Sequence, residues 1–369
     1  SVDQQGLTEM LTRIWPSATE TKNEAEYLKI IEESAAGLNS FGGKNTNGLS
    51  VEYMKPFEKT MLDLTAEVVT KPVLSQDIFT REMDVLKKQI LSKQDNPSYL
   101  CGRQFLQMMF PQTVMSYEQS GTLETLNNIS LKDVEKSFNK FRAIGNMQVA
   151  VAGDYDRSRW IDIVEKMEDS FTLHGRQLKS VPIAKLAENK EQFLKKDKEQ
   201  SHVMIGWNGV SLTDPRRYIL QIMQAVLSGQ GGRLFIELRD KNSLAYSVSP
   251  IKMETLETGY FGGYIACSPD KVTKAVAMFK EEFNKLTTTL ISEDELERAK
   301  KYLIGQNDIG LQRKSSYCNM IAFDHFYGNS IDDNLHVQKI YNAITREDVR
   351  RLAAELFTKN YVTSVVGRE

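Results

Sequence analysis

Cysteine and histidine are scarce in this sequence. The 369 residues include three cysteines and four histidines: Cys101, Cys267, Cys318, His174, His202, His325 and His336. The cysteines are odd in number and far apart, which excludes a disulfide framework and a cysteine-rich zinc site. No two histidines have the H-x-x-H or H-x-x-E-H spacing that places two imidazoles on one helical face. We therefore expect each histidine to be a surface or core residue rather than a metal ligand.

Long apolar runs and an excess of one charge are also missing. No apolar run of about 18 residues occurs, and the chain opens on a polar segment, so neither a membrane span nor a signal peptide is predicted in this chain. The 47 basic and 49 acidic residues are interspersed, which argues against nucleic acid as a partner. The compartment stays open, because the bacterial periplasm, the cytoplasm and an organelle matrix are all compatible with this chain.

The chain does contain an internal repeat. Two segments read as a helix followed by a short strand: residues 128–154 and 342–367. Both helices start with the same S/T-x-x-D capping pattern, at Ser130 and at Thr345, and apolar alternation such as that of Val149 and Val151 predicts the strands. The offset is 215 residues in the helix (134 to 349) and 214 in the strand (153 to 367). One fold used twice explains this agreement, and two unrelated helix–strand pairs with shared capping chemistry are the alternative.

The repeat and the mixture of helices and antiparallel strands predict an α+β fold of two homologous domains. We expect the first domain over 1–172, a linker and entry segment over 173–200, and the second domain over 201–369. In the second copy a strand near 202–207 precedes the first helix, and its counterpart in the first copy falls before residue 1. The first domain is therefore expected to lack its opening strands, through truncation, disorder or processing.

Several individual elements are predicted from periodicity. The clearest is a helix over 75–94, because Phe79, Met83, Leu86 and Ile90 fall on one face and Ser75 supplies the cap. In the second copy the patterns predict a helix near 233–241 and strands near 245–253 and 260–267.

The segment S-G-Q-G-G-R-L-F-I-E-L-R-D-K-N-S-L-A-Y-S-V at 228–248 closely resembles the glycine-rich segment and following helix of the insulinase/pitrilysin family of inverzincin peptidases, which includes mitochondrial processing peptidase. The resemblance extends over nearly the whole chain, through S-H-V-M-I-G-W at 201–207 and G-L-T-E-M-L-T-R-I at 6–14. It implies two homologous domains, each a mainly antiparallel sheet packed with helices, that form half of a substrate chamber.

The same resemblance implies a degenerate metal site. Active members carry H-x-x-E-H on a first-domain helix and a later glutamate that completes the zinc site. In this sequence Glu9 and Arg13 stand at the histidine positions, Thr12 at the general base and Gln89 at the late glutamate, while Glu82 matches a second family acid. We expect no metal in this chain. Glu9 and Arg13 could form a salt bridge in place of the metal, or both could be solvated surface charges.

The second-domain motif is retained. Arg239 and Tyr246 match the arginine and tyrosine with which active members hold the substrate carbonyl and the tetrahedral oxyanion. The alternative is an arginine in a surface pair and a tyrosine in the core. Gly229, Gly231 and Gly232 form a turn expected to contribute to substrate binding, and a phosphate-binding role is disfavoured because no G-x-x-x-x-G-K-[ST] follows.

The resemblance therefore implies a non-catalytic subunit of a heterodimeric zinc metalloendopeptidase. Zinc and H-x-x-E-H are expected in a homologous partner chain or in the other half of a longer polypeptide, with unfolded peptides as substrates. This chain is expected to be inactive alone. Two alternatives remain: a structural scaffold like the core proteins of the cytochrome bc1 complex, and an autonomous peptidase with unusual ligands.

Overall fold

The computed structural model describes residues 2–171, 173–175 and 182–368. The first part of the chain forms eight α-helices and four strands in these described residues, besides short 3-10 turns. In chain order they are α1 (Leu7–Ile14), α2 (Glu24–Glu33), β1 (Gly37–Gly42), β2 (Asn47–Glu52), α3 (Glu58–Thr70), α4 (Gln76–Gln94), α5 (Pro97–Met109), α6 (Leu123–Leu126), α7 (Leu131–Phe141), β3 (Ala143–Ile144), α8 (Arg157–Asp169) and β4 (Leu173–His174).

The second part of the chain contributes five strands and seven α-helices among the described residues. They are β5 (Lys190–Lys195), β6 (Ser201–Asn208), α9 (Arg217–Leu227), β7 (Ser247–Glu254), β8 (Gly259–Cys267), α10 (Val272–Thr288), α11 (Glu293–Leu311), α12 (Lys314–Tyr327), α13 (Ile331–Leu335), α14 (Val337–Ala343), α15 (Arg346–Phe357) and β9 (Tyr361–Gly367). A π-helical segment, Phe235–Lys241, lies between α9 and β7. The fold is α+β, as the sequence predicts.

The chain divides into two compact units, and each unit consists of two separate segments of the chain. Unit 1 comprises Ser1–Lys93 and Tyr117–Leu178, and unit 2 comprises Gln94–Ser116 and Lys179–Glu369. The helix α5 therefore belongs to the second unit although it lies within the first half of the chain. The predicted linker over 173–200 lies partly outside the described residues.

Unit 1 contains the predicted helix over 75–94 as α4. Its apolar residues Phe79, Met83, Leu86 and Ile90 are buried in one cluster with side chains of α1 and α7. The hydroxyl of Ser75 accepts a hydrogen bond from the Ile78 N–H at 3.2 Å, which confirms the predicted cap. Beside these helices, β1 and β2 form an antiparallel pair.

Unit 2 is built on a five-stranded sheet in the order β5–β9–β6–β8–β7, with all pairs antiparallel except β5 with β9. Strand alternation sends Val203, Ile205 and Trp207 into the main core, where they pack with α9, α10 and α15. The opposite face of the sheet is covered by α5. Gly206 allows this close approach, because a Cβ there would lie 2.7 Å from the ring of Phe105.

The two copies of the S/T-x-x-D pattern form the same capping box. Ser130 caps α7 and Thr345 caps α15, and in each case the hydroxyl accepts from the N–H of the aspartate three residues later, whose carboxylate accepts from the cap N–H. The strand after the second helix is β9, as predicted. No strand is assigned over 147–152 among the described residues, so the prediction from Val149 and Val151 is not met there; the strand that follows α7 is the short β3.

Candidate functional site

The degenerate metal positions of unit 1 come together around one guanidinium group. Arg13 Nε donates to Glu9 Oε1 at 3.0 Å, and Arg13 Nη2 donates to Gln89 Oε1 at 2.7 Å. Arg13 Nη1 lies 3.5 Å from Glu82 Oε2. Each of the three nitrogens of Arg13 therefore faces an oxygen at a position that the resemblance predicts for a metal ligand or a nearby acid.

Two helices hold this cluster in place. Glu9 and Arg13 are four residues apart, so they share one face of α1, and Glu82 and Gln89 are seven apart, about two turns, on one face of α4. The apolar faces of the same helices pack in one core cluster. The side chains of Glu9, Arg13 and Glu82 are only about one-fifth exposed, at 22%, 21% and 20%. Of the two alternatives left open by the sequence, the salt bridge is correct and the solvated-charge reading is wrong.

Thr12 lies beside this cluster, but it does not face the guanidinium. Its hydroxyl donates to the Glu9 carbonyl at 2.9 Å, and its carbonyl accepts from the Ser40 hydroxyl of β1. The side chain is 9% exposed and packs against β1, since a Cβ at Gly42 would lie 2.7 Å from Thr12 Cγ2. The position of the general base is therefore filled by a small side chain enclosed between α1 and β1.

The cluster around Arg13 lacks the side-chain chemistry of a zinc site. A guanidinium does not release its proton at physiological pH, so Arg13 can donate but cannot coordinate, and its cation takes the place that a metal cation would need. The group that would complete a site is also an amide, Gln89, rather than a carboxylate. In the described ranges no set of three or more His, Cys, Asp or Glu side chains could hold a metal ion.

In unit 2 the glycine-rich segment is a tight turn between α9 and the next helix. Gly229 adopts a φ of +78°, which favours glycine, and the Gly232 N–H donates to the Gly229 carbonyl at 3.0 Å. A Cβ at Gly232 would lie 2.2 Å from the Ser228 carbonyl oxygen, so only glycine fits there. Gly231 is exposed, and a Cβ there would meet only the guanidinium of Arg298, at 4.0 Å.

The turn is followed by an ion pair that sequence reasoning missed. Arg233 Nε and Nη2 donate to the two carboxylate oxygens of Glu295 at 2.6 and 2.7 Å, in a bidentate contact that is mostly buried. This contact raises the pKa of Arg233. Burial raises the pKa of Glu295, but hydrogen bonds from Arg233 and Ser292 outweigh it and lower the pKa. The visible signal was the capping box S-x-x-E that begins at Ser292.

Arg239 and Tyr246 are both exposed. Arg239 lies in the π-helical segment, and its guanidinium stacks over the ring of Phe235 at 4.9 Å. It forms no ion pair within the described part of the chain. Tyr246 is 60% exposed and precedes β7, held by a hydrogen bond from its N–H to the Ala266 carbonyl at 2.8 Å. The alternative of a surface-paired arginine and a core tyrosine is therefore wrong.

The backbone between these two residues differs from the sequence prediction. The helix predicted near 233–241 is mostly π-helix, over Phe235–Lys241, and the strand predicted from 245 begins at Ser247. A wide turn closes the segment: the Leu244 N–H donates to the Leu238 carbonyl at 2.8 Å, and Ser243 adopts a φ of +49°. Side-chain periodicity does not separate a π-helix from an α-helix over seven residues, so this detail could not be predicted.

Two α+β units, one with an ion-pair cluster at the positions predicted for metal ligands and one with an exposed arginine and tyrosine after a glycine-rich turn, define a protein of the metallopeptidase type. The chain belongs to the insulinase family, peptidase family M16. The family model described as Insulinase (Peptidase family M16) matches residues 1–123, and the model described as Peptidase M16 inactive domain matches residues 128–303.

Some proteins of similar sequence are named as peptidases and others as non-peptidases. The chain is 23% identical to an uncharacterized zinc protease of Streptomyces coelicolor over 98% of this chain and 80% of that protein. It is also 23% identical to a protein of Helicobacter pylori named non-peptidase homolog YmxG, over 88% of this chain and 75% of that protein.

Solved structures share the fold. A Pseudomonas fluorescens structure described as a peptidase M16 inactive domain matches with a TM-score of 0.92 at 18% identity, over 99% of this chain and 89% of that chain. A chain of complex III2 from Candida albicans matches with a TM-score of 0.78 at 17% identity, over 100% of this chain and 87% of that chain. No helix in the described ranges is both long and apolar enough to cross a membrane.

Proposed function

We propose that this chain is the non-catalytic subunit of a heterodimeric zinc metalloendopeptidase. A homologous partner that carries H-x-x-E-H would hold the zinc. This chain would supply Arg239 and Tyr246 to the partner's site, together with part of the wall of a substrate chamber. The substrates would be unfolded peptides.

The observation that carries the proposal is the contrast between the two units. In unit 1 the guanidinium of Arg13 is bound on three sides, and this supports the view that the position predicted for the metal has no catalytic role in this chain. In unit 2 the side chains of Arg239 and Tyr246 are exposed. Arg239 has no ion-pair partner among the described residues. A chain that had only a packing role would have no need of two exposed donors at these positions.

The chemistry suits a site completed by another chain. Peptide hydrolysis at zinc builds negative charge on the carbonyl oxygen in the transition state, and a guanidinium and a phenol both donate hydrogen bonds to such an oxygen. The tight turn at Gly229–Gly232 leaves backbone accessible beside this segment, where an extended peptide could lie. The bidentate pair of Arg233 and Glu295 would hold the turn against α11.

The test uses a reconstituted complex. The chain is expressed with the M16 chain of the same genome that carries H-x-x-E-H, and kcat is measured on an internally quenched unstructured peptide. Arg239→Ala and Tyr246→Phe should each lower kcat about 10²- to 10³-fold, as expected for the loss of one oxyanion donor. The dissociation constant of the two chains should stay unchanged.

Matched controls come from the same unit. Arg350 and Tyr302 are exposed, so Arg350→Ala and Tyr302→Phe remove the same groups elsewhere on the surface and should leave kcat as it was. If both pairs of variants have the same kcat with the complex intact, the proposed role of Arg239 and Tyr246 is wrong.

A scaffold role is the second candidate, supported by the likeness to the chain from complex III2. In that case the chain would copurify with a multi-subunit membrane complex rather than with a zinc-bearing homologue. Affinity purification from the native host, with zinc measured in the eluted complex, separates the two. Arg239→Ala and Tyr246→Phe would then lower function only as far as they lower assembly.

A further inference from the structure

An open cavity of about 340 Å³ lies in unit 2, in a region that the proposed function does not use. It is formed where α15 leads into β9, beside α10 and the start of β5. Its lining combines aromatic rings, amides and cations: Asn189, Trp207, Lys280, Asn284, Phe357, Thr358, Lys359, Asn360 and Tyr361. A volume of this size is within the range of small-molecule sites.

The aromatic rings of the lining pack against one another. Trp207 is 3% exposed and its ring lies 5.2 Å from that of Phe357 and 6.0 Å from that of Tyr361, measured between centroids. The indole Nε1–H of Trp207 is buried, yet no described residue accepts a hydrogen bond from it. A buried donor without an acceptor is costly in free energy.

The polar part of the lining offers mainly donors. Asn189 Oδ1 accepts from the Tyr361 N–H at 3.1 Å and Asn284 Oδ1 accepts from the Thr287 hydroxyl at 3.3 Å, which leaves the Nδ2 groups of both as donors. Lys280 Nζ lies 4.2 Å from the centre of the Tyr361 ring and donates to its hydroxyl at 3.0 Å.

The charged side chains give the cavity a net positive charge. Lys280 is paired with Glu191 at 3.3 Å, whereas Lys359 is exposed and has no ion pair in the part of the chain that the structure describes. An acceptor-rich, negatively charged group is therefore favoured, and the aromatic rings favour an apolar or planar body beside it.

We propose that this cavity binds a carboxylate with an apolar body. The carboxylate would accept from the lysines and amides, and the apolar part would lie against Phe357 and Tyr361. Two sources share this chemistry: a free aryl or alkyl carboxylic acid, and the C-terminal carboxylate of a peptide that ends in an apolar residue. The proposal is independent of the role of Arg239 and Tyr246.

Binding to the full chain is measured calorimetrically with 3-phenylpropionate and with its uncharged amide. The acid should bind at least about tenfold more tightly than the amide, because the amide loses the charge-assisted hydrogen bonds. This comparison needs no substitution. Equal dissociation constants for acid and amide, or no saturable binding of the acid in the millimolar range, would overturn the proposal.

Variants then locate the site. Lys280→Met should raise the dissociation constant of 3-phenylpropionate roughly 10- to 100-fold. Lys274→Met, on the exposed surface of the same helix, should not change it. If the two variants bind equally well, the assignment to this cavity is wrong.

A third ligand distinguishes between the two sources of the carboxylate. The tripeptide Ala-Ala-Phe is compared with 3-phenylpropionate and with the tripeptide amide. Tighter binding of the free tripeptide identifies a peptide C-terminus as the ligand, and tighter binding of 3-phenylpropionate identifies a free carboxylic acid. Binding of the tripeptide amide as tight as that of the free tripeptide would contradict both.

Discussion

At the scale of single residues, Arg13 is the centre of the charged cluster in unit 1. Its cation lies between Glu9 and Glu82, which would otherwise face each other as two carboxylates only about one-fifth exposed. Arg13→Met removes the cation and keeps the length of the side chain. We expect it to lower the free energy of unfolding of unit 1 by about 1–2 kcal/mol, more than an exposed pair contributes, because like charges are left partly buried.

Hydrogen exchange of the α1 and α4 peptides measures this loss directly. Glu9→Gln combined with Arg13→Met should recover part of the protection, since the repulsion between carboxylates is then relieved. Lys59→Met is the matched control: Lys59 and Asp63 form an i,i+4 pair at 2.8 Å, but their side chains are 77% and 54% exposed. An equal effect of Lys59→Met and Arg13→Met would show that the cluster contributes no more than a surface pair.

At the scale of elements, the cap of α15 is expected to depend on pH. The N–H and the hydroxyl of Thr345 donate to Asp348 at 3.0 and 2.7 Å, and these hydrogen bonds lower the pKa of Asp348. A lowered pKa in the folded state means that the contribution is complete above the ordinary aspartate range, near pH 3.9, and is lost as pH falls through the folded pKa.

Thr345→Ala should therefore speed exchange of the α15 amides about fivefold at pH 7, which corresponds to a cap of about 1 kcal/mol. Asp348→Asn should also speed it at pH 7, and its difference from the unsubstituted chain should shrink as the pH falls below the ordinary aspartate range and vanish below the folded pKa of Asp348. Ser130→Ala tests the equivalent cap of α7 and should act on that helix alone. A difference for Asp348→Asn that does not shrink as the pH falls below the ordinary aspartate range would show that the carboxylate charge is not the cause.

The elements also show how far sequence reasoning reaches. Capping boxes and α4 were predictable, because their signals are local: a hydroxyl three residues before a carboxylate, or apolar residues at helical spacing. The position of α5 in unit 2 was not, because the burial of Cys101 against the carbonyls of His202 and Ser364 is a contact between distant parts of the chain.

The same difference between local sequence signals and long-range contacts applies to the site. Family resemblance located Glu9, Arg13, Glu82 and Gln89, but only the structure brings the other three around the guanidinium of Arg13. The pairing across 76 residues is set by how α1 and α4 pack, which a single sequence does not encode as a local pattern. The bidentate contact between Arg233 and Glu295 was missed for the same reason.

At the scale of the whole molecule, the isolated chain is expected to bind no stoichiometric zinc and to cleave no peptide. The described residues contain no group of three or more His, Cys, Asp or Glu side chains that could hold a metal ion, and Arg13 supplies a positive charge at the position predicted for the metal. Metal analysis of protein purified without chelators should give well under one zinc per chain. One tightly held zinc per chain would contradict this interpretation.

Restoring the family motif tests whether only the ligands have been lost. Glu9→His, Thr12→Glu, Arg13→His and Gln89→Glu together would return two imidazoles, a base and a third ligand. We expect little turnover, because Thr12 is enclosed against Gly42 of β1 and its carbonyl is held by Ser40. A glutamate at position 12 is too large for this space, so it would move β1 or turn away from the water that it must activate.

The restored variant should therefore recover zinc content but not turnover. Zinc binding without peptide cleavage is the expected result, since ligands alone do not align a base. Adding Ser40→Ala frees the backbone of α1 at Thr12 and should raise turnover only if that hydrogen bond is what misplaces the base. Cleavage by the fourfold variant at the rate of the proposed heterodimer would show that the surroundings of the site have stayed competent and that only the ligands have been lost.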